Sequence, residues 1–177
     1  MNLTPARKGG LLLALAVFAL DRALKFVMTD VLVLHSREAI ELLPIFALRW
    51  TQNFGVSLGM FTAETEKGQL VLIAVTGVIA AGVLAWMLRE KAKGDILALA
   101  LVLGGALGNI WDRASRGYVI DYADLHFGEF RPFMIFNLAD AAITIGVLIL
   151  LARALLLREK PDDSADAAES PSATEKA

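Results

Sequence analysis

The chain has 177 residues, of which 56% are hydrophobic, and its formal net charge at pH 7 is −2. It has no cysteine and only two histidines, His35 and His126, which excludes disulfides, cysteine nucleophiles and a thiolate zinc site. The small negative charge gives no indication of a nucleic-acid partner. We therefore expect no metal and no other cofactor, and any chemistry must come from carboxylates, hydroxyls or lysines.

The hydrophobic residues are concentrated in four stretches, whereas a soluble domain is usually ~45–50% apolar throughout. The stretches cover residues of about 9–28, 68–88, 96–113 and 133–157. Each is close to the ~20 residues that a membrane-spanning helix needs. The first is preceded by Arg7 and Lys8 like a signal peptide, but no small-residue cleavage site follows its apolar core. The sequence thus predicts an all-α membrane protein with four transmembrane helices.

Basic residues in short flanks predict the orientation of these helices. The three basic flanks contain Arg7 and Lys8, then Arg89, Lys91 and Lys93, then Arg153, Arg158 and Lys160. With four spans, all three flanks fall on one side of the membrane, which should be the cytoplasmic side. Both termini are then cytoplasmic, and two short extracytoplasmic loops lie outside.

The first outer segment, about residues 30–66, contains bulky and β-branched residues with some alternation between 39 and 52. This pattern predicts short strands on the membrane surface, with an amphipathic interfacial helix as the alternative for part of it. Residues 160–177 are rich in Pro, Ser, Asp, Glu and Ala, so a disordered cytoplasmic tail is expected after a domain of residues 1–159.

Charged side chains near membrane depth cost roughly 2.5–3.5 kcal/mol each on insertion scales, so each asks for a partner or a function. Asp21 and Lys25 are four residues apart near the outer end of the first span, and they can pair on one helix face. An interfacial ion pair with Lys25 reaching outward is one interpretation. A functional role is the other, because Asp21 lies deeper than the basic residues.

Two glycine-containing motifs lie at the outer ends of the second and third spans. Asn53 and Gly55 open a segment whose backbone could approach a ligand, although a plain loop explains it equally. Gly104 and Gly108 form a small-xxx-small pair that allows close helix packing. The polar residues Asn109, Asp112 and Arg113 follow on the same helix, and packing alone explains them less well.

A third pair of features places two acids in apolar surroundings. Asp121 lies in a strand-like run, and Asp140 lies three residues after Asn137 near the start of the fourth span. The loop between the acids starts and ends at one membrane face, so the two can meet. Two close carboxylates cannot both ionise easily, and such a pair supplies an acid and a base for water attack on a peptide carbonyl.

Other interpretations stay open at this point. The acids could be structural or could relay protons in a small transporter, and the glycine-rich span could belong to a non-enzymatic assembly factor. An intramembrane serine peptidase using Ser57 and His126 is a further alternative.

Taken together, the motifs resemble those of the lipoprotein signal peptidase family, also called signal peptidase II. The resemblance rests on residues 21–25, 53–57, 104–113, 117–122 and 136–140. It implies a multi-pass enzyme of the bacterial cytoplasmic (inner) membrane, with its active site near the outer, periplasmic face. Such enzymes remove the signal peptide from prolipoproteins just before a diacylglyceryl cysteine, and the cyclic peptide globomycin blocks them.

The resemblance also implies roles for individual residues. Asp121 and Asp140 match the catalytic acids. The positions that line the substrate groove are matched by Asn53, Asn109, Arg113 and Asn137. Supporting positions are matched by Asp21, Lys25, Gly55, Gly108 and Asp112. Many members have an aromatic residue where this chain has Leu58, and we expect a monomer whose partners are the lipidated substrate and membrane lipids.

Overall fold

A computed structural model describes residues 3–56, 61–62 and 65–156 of the chain. Ser57, Leu58 and the predicted tail at 160–177 lie outside the described residues. The described part contains four long helices and five strands. The helices are α1 (Pro5–Phe26), α2 (Glu66–Arg89), α3 (Lys93–Arg116) and α4 (Leu138–Leu156), and the strands are β1 (Ile40–Leu43), β2 (Phe46–Asn53), β3 (Gly55–Val56), β4 (Phe61–Thr62) and β5 (Val119–Leu125).

Helix α3 lies at the centre of the bundle, where it packs against α1, α2 and α4. Small residues permit this arrangement. A Cβ on Gly104 would lie 2.5 Å from the Ala14 carbonyl oxygen of α1, and a Cβ on Gly146 would lie 2.6 Å from the Ala98 carbonyl oxygen. The helices therefore approach one another to distances that larger side chains would prevent, as the small-xxx-small pattern predicts.

Among the described residues, three helices are long and apolar enough to cross a membrane, namely α2, α3 and α4. Helix α1 has a comparable length of 22 residues. It differs because Asp21, Arg22 and Lys25 interrupt its apolar sequence near its C-terminal end. The prediction of a mostly helical membrane protein with apolar helices is confirmed, whereas the count of four spans stays a prediction.

The segment after α1 forms the predicted strands. A π-helical turn (Val27–Val31) and a 3₁₀ turn (Leu34–Ser36) lead into an antiparallel sheet with strand order β1-β2-β5. In this sheet Thr51 lies opposite Asp121. Residues buried beneath it, including Leu34 and Ile120, form a second apolar core apart from the helical one. The expected strands in the outer segment are thus confirmed.

Helix α4 begins at Leu138, whereas the apolar run from about residue 133 suggested an earlier start. Asp140 therefore lies in the first turn of α4 and not deeper along the helix. The cause is local, since Asn137 precedes the helix and its side chain accepts a hydrogen bond from the backbone N–H of Asp140 at 2.9 Å. Asn is a favoured N-cap residue because its side chain satisfies an otherwise unpaired N–H.

Candidate active site

The start of α4 is held by a reciprocal capping box. The Asn137 side chain accepts from the Asp140 N–H, and Asp140 Oδ2 accepts from the Asn137 N–H at 3.2 Å. This is the arrangement that an N-cap residue makes with an acid three residues later. It uses one carboxylate oxygen of Asp140 and directs the other, Oδ1, toward the interior of the bundle.

Asp121 reaches the same place from β5. It is 2% exposed. Its Oδ1 accepts a hydrogen bond from Asn137 Nδ2 at 2.6 Å, and its Oδ2 accepts one from Asn53 Nδ2 at 3.0 Å. Asn137 therefore contacts both acids, through its side-chain amide to Asp121 and its backbone N–H to Asp140. The structure brings together the two acids that are 19 residues apart in the sequence.

Asn109 extends this network from α3. Its Nδ2 donates to Asp140 Oδ1 at 2.8 Å, and its Oδ1 accepts from Asn137 Nδ2 and from Lys25 Nζ, both at 3.3 Å. Each side of the carboxamide therefore has a defined partner, which fixes its orientation. Asn109 thus contacts Asp140 directly and is connected to Asp121 through Asn137.

Behind the asparagines lies a buried ion cluster centred on Lys25. Lys25 Nζ lies 2.9 Å from Asp21 Oδ2 and 2.7 Å from Asp112 Oδ2, and all three side chains are fully buried. Arg22 and Arg116 also pair with Asp112. The charges that appeared isolated in the sequence are thus compensated by one another, which offsets the cost of burying them.

The two acids of this cluster also bind backbone next to the candidate catalytic acids. Asp112 Oδ2 accepts from the Ile120 N–H at 3.3 Å, one residue before Asp121. Asp21 Oδ1 accepts from the Ala139 N–H at 3.2 Å, one residue before Asp140. Lys25 contacts both of these carboxylates. A single buried ammonium is therefore connected to the backbone that positions each acid.

Gly108 makes room for this cluster on α3. A Cβ at Gly108 would lie 2.6 Å from Asp21 Oδ2. That distance is too short for a nonbonded contact, so a side chain here would displace Asp21 from the start of α4. The predicted supporting position thus has a steric reason.

The turn after β2 brings Asn53, Gly55 and Arg113 together. Asn53 Oδ1 accepts from the Gly55 N–H at 3.1 Å, which directs its Nδ2 toward Asp121. Arg113 Nη2 donates to the Gly55 carbonyl at 2.9 Å. Arg113 Nε is buried and has no hydrogen-bond partner among the described residues.

A cavity of about 350 Å³ lies beside the site and is lined by residues of α2, α3 and α4. Its polar lining includes Asn53, Asn109, Arg113 and Asp140, with Asp121 just behind Asn53. Its remaining walls are mostly apolar. They are formed by Thr76, Ile79, Val102, Ala106, Ile110, Val119, Ile143 and Thr144. A largely apolar cavity with a few convergent polar groups is typical of a ligand site.

The electrostatics of the site set Asp121 apart from an ordinary surface carboxylate. Burial, reinforced by the neighbouring charge of Asp140, raises the pKa of Asp121 to about 7. The hydrogen bonds from Asn53 and Asn137 act in the opposite direction and limit the rise. A carboxyl group that retains its proton close to neutral pH can act as an acid in catalysis.

One contributing residue was missed by the sequence analysis. The Tyr122 hydroxyl accepts from the Leu138 N–H at 3.3 Å, so the first backbone N–H of α4 is satisfied from β5. Burial raises the pKa of Tyr122 to about 12, which keeps the hydroxyl protonated. Strand alternation alone could not reveal this contact, because Tyr122 looked like another bulky strand residue.

His126, the base of the serine-peptidase alternative, lies away from the two acids. Its Nε2 is 3.7 Å from Glu41 and its Nδ1 is 3.9 Å from Asp124. Ser57 is outside the described residues. Within the described ranges no group of three or more acidic or histidine side chains is arranged to hold a metal ion.

Comparison with known proteins agrees with the class that the motifs suggested. The profile of the family described as Signal peptidase (SPase) II matches residues 13–156. A lipoprotein signal peptidase of Sphingopyxis alaskensis is 57% identical over 157 residues, covering 89% of this chain and 91% of the relative. Its counterparts from Rhizorhabdus wittichii and Francisella tularensis subsp. novicida are 51% and 33% identical, covering 87% and 90% of this chain and 91% and 99% of their own lengths.

Two solved structures share the fold. One, of a bacterial membrane enzyme crystallised in meso at 2.3 Å, has a TM-score of 0.71 at 24% identity and covers 93% of this chain and 94% of its own. A second, at 1.9 Å, has a TM-score of 0.70 at 24% identity, covering 86% and 95%. The helical bundle with a small sheet at one end is thus a fold that this chain shares with both structures.

The chain is therefore a bacterial membrane protein of a protease class. It belongs to the signal peptidase II family.

Proposed function

We propose that this protein is an aspartic endopeptidase that removes the signal peptide from diacylglyceryl-cysteine prolipoproteins. The observation that carries the proposal is the contact of Asn137 with both acids, at 2.6 Å to Asp121 and 3.2 Å to Asp140. The names of the relatives, lipoprotein signal peptidases, supply the substrate class. No other function is favoured by a specific contact in the site.

In this mechanism the two acids have complementary roles. Asp121 holds the proton near neutral pH because its pKa is about 7. Asp140 lies at the N-terminus of α4, where backbone N–H groups stabilise negative charge. Asp140 takes a proton from a water molecule whose oxygen attacks the scissile carbonyl carbon, while Asp121 protonates the carbonyl oxygen.

The resulting gem-diol then collapses with the roles reversed. Asp140 gives its proton to the departing amide nitrogen, the C–N bond breaks, and one diol hydroxyl returns a proton to Asp121. Both acids regain their starting states. Asn53, Asn109 and Asn137 hold the carboxylates in place, and Arg113, which lines the cavity, is a donor for a substrate carbonyl near the scissile bond.

The cavity beside the site supports access from the bilayer. Its mostly apolar walls suit a signal peptide that arrives laterally within the membrane. A diacylglyceryl anchor adds about 0.8 kcal/mol of membrane partitioning per buried CH₂, so it holds the scissile bond at the membrane surface. Globomycin-type peptides would compete for the same cavity.

We further propose that α1 is the fourth span, with both termini cytoplasmic and the site at the periplasmic face of the inner membrane. The charges that lower the hydropathy of α1 point into the bundle, since Asp21 and Lys25 are fully buried. Its outward-facing residues are apolar, with Leu12, Leu15 and Leu20 more than half exposed. The peptidase domain then comprises residues 1–159, followed by a cytoplasmic tail at 160–177, and works as a monomer.

Cleavage of matched substrates in proteoliposomes tests the substrate class. We expect a diacylglyceryl prolipoprotein to be cut just before its lipidated cysteine. The same precursor without the lipid should be cut at least ~10-fold more slowly, because it loses the membrane partitioning of its acyl chains. Equal rates for the two substrates, or cleavage elsewhere in the precursor, would contradict the proposed specificity.

A further inference from the structure

Two tight turns lie side by side at the end of the sheet. The first, at Pro44 and Ile45, joins β1 to β2. The second follows β5, where Phe127 and Phe130 exchange backbone hydrogen bonds of 2.8 and 3.2 Å around Gly128, whose φ is +62°. The His126 N–H donates to the Ile45 carbonyl at 3.0 Å and joins the two turns.

Both turns expose large apolar side chains. Leu43 and Ile45 are 59% and 42% exposed, and Phe127 and Phe130 are 52% and 66% exposed. We call these four residues the apolar tips. They lie outside the helices that could span the membrane, so their exposure is not explained by a lipid-facing helix surface. A contiguous exposed apolar patch on a folded protein marks an interaction surface.

A short segment connects the second turn to α4, a helix that is long and apolar enough to span a bilayer. Phe133 and Met134 lie between the second turn and α4, and they are 62% and 61% exposed. The apolar surface therefore continues from the tips to the start of a helix that is apolar enough to span a bilayer. A segment this close to a span lies at the membrane boundary, where aromatic residues are enriched.

A polar group above the tips matches the lipid headgroup region. Arg49 and Arg131 both pair with the buried carboxylate of Asp124, at 3.2 Å each. Their side chains are 38% and 42% exposed. Both guanidinium groups keep part of their surface exposed, so they can also donate to a lipid phosphate.

We infer that the apolar tips insert into the outer leaflet of the bilayer, with Arg49 and Arg131 at the level of the lipid phosphates. This anchor fixes the depth of the sheet, and thus of Asp121 on β5. The inference relies on the proposed orientation only for the choice of leaflet, and its test does not involve cleavage.

Because the sequence contains no cysteine, a single introduced cysteine can carry a nitroxide label at any chosen position. We would label Phe130→Cys and Ile45→Cys in proteoliposomes and compare collision rates with oxygen, which enters the acyl region, and with a water-soluble nickel chelate. Ser36→Cys is the control, because Ser36 is exposed beside Arg37 and Glu38 away from the tips. We expect nickel collisions at least about fivefold lower at both tips than at the control, with oxygen collisions higher.

A second variant tests whether the tips act together. Phe127→Ser with Phe130→Ser should raise the nickel accessibility of the label at Ile45, whereas Phe127→Leu with Phe130→Leu should not. Tip labels that react with nickel like the control would overturn the inference. Labels shielded from both reagents would also overturn it, since they would indicate a protein partner in place of lipid.

Discussion

At the residue scale, asparagine side chains fix the orientation of the two carboxylates by hydrogen bonds. Asp121 accepts hydrogen bonds from two asparagines, and Asp140 accepts one from Asn109 and one from a backbone N–H. Asparagine neither titrates nor carries charge, so it orients a carboxylate without neutralising it. The pair can therefore exchange protons while its geometry stays fixed.

The raised pKa of Asp121 has a consequence for stability. A carboxyl group with a folded pKa of about 7 and an ordinary value of 3.8 binds its proton more tightly in the folded state. Its contribution to stability is therefore present below pH 3.8 and is lost as the pH rises through about 7. The loss corresponds to at most ~4 kcal/mol.

Asp121→Asn removes this titration. We expect the unfolding temperature of the variant, relative to wild type, to rise by several degrees as the pH increases from 5 to 8. Thermal unfolding in detergent measures this difference in unfolding temperature. Asp95→Asn, in the first turn of α3, controls for the loss of a carboxylate in general. A difference that stays constant with pH, or falls, would show that Asp121 is not destabilised by ionisation.

At the element scale, the geometry of the candidate site is held by contacts between elements that are distant in sequence. The N-terminus of α4 receives caps from three places, because Tyr122 binds Leu138 N–H, Asp21 binds Ala139 N–H, and Asn137 binds its own helix. Unpaired N–H groups at a buried helix end are costly, so these caps stabilise the position at which α4 begins.

This arrangement shows what the sequence could and could not predict. The spacings of Asp21 with Lys25 and of Asn137 with Asp140 predicted pairs that the structure contains, because both are local helical relations. The start of α4 was predicted too early, because the apolar residues from about residue 133 continue the apolar run and Asn137 was not identified as the N-cap. The contact of Asp21 with Ala139 could not be foreseen, since it joins residues 118 positions apart.

Substitution of Lys25 tests whether the buried ion cluster stabilises the fold and the site. Lys25→Met leaves Asp21 and Asp112 buried without their shared ammonium, and removing one partner of a buried ion pair typically costs ~3–5 kcal/mol. We expect a large drop in unfolding temperature and in cleavage. Lys93→Met, on the exposed surface, is the matched control.

Restoring charge balance should recover part of the loss. Adding Asp21→Asn to Lys25→Met should raise the unfolding temperature above that of Lys25→Met alone, because the buried Asp21 charge loses its partner while Asp112 keeps Arg22 and Arg116. If Lys25→Met unfolds at the temperature of the Lys93 control, the buried cluster does not stabilise the start of α4.

At the scale of the whole molecule, a bundle built around α3 is joined to a sheet that continues outside it. The sheet carries Asp121 and the bundle carries Asp140, so the site forms where the two parts meet. The general class could be predicted from hydropathy and motif order. The position of the sheet relative to the bundle could not be predicted from the sequence, because it depends on the pairing of β5 with β2 and not on any local pattern.

The orientation of α1 can be tested with single cysteines in spheroplasts. We expect a membrane-impermeant maleimide to label Ser36→Cys from outside and Thr4→Cys only after permeabilisation, because the basic flank of α1 is retained in the cytoplasm. Labelling of both positions from the same side would mean that α1 does not cross the membrane.

The central claim is that Asp121 and Asp140 together perform the hydrolysis. The most direct measurement is the rate of cleavage of a diacylglyceryl prolipoprotein by wild type, Asp121→Asn and Asp140→Asn, each shown to be folded by thermal unfolding, with Asp95→Asn as control. We expect both site variants to lose at least ~10³-fold in rate, since neither proton transfer can be completed, and the control to retain its activity. Cleavage near the wild-type rate by either folded site variant would contradict the account.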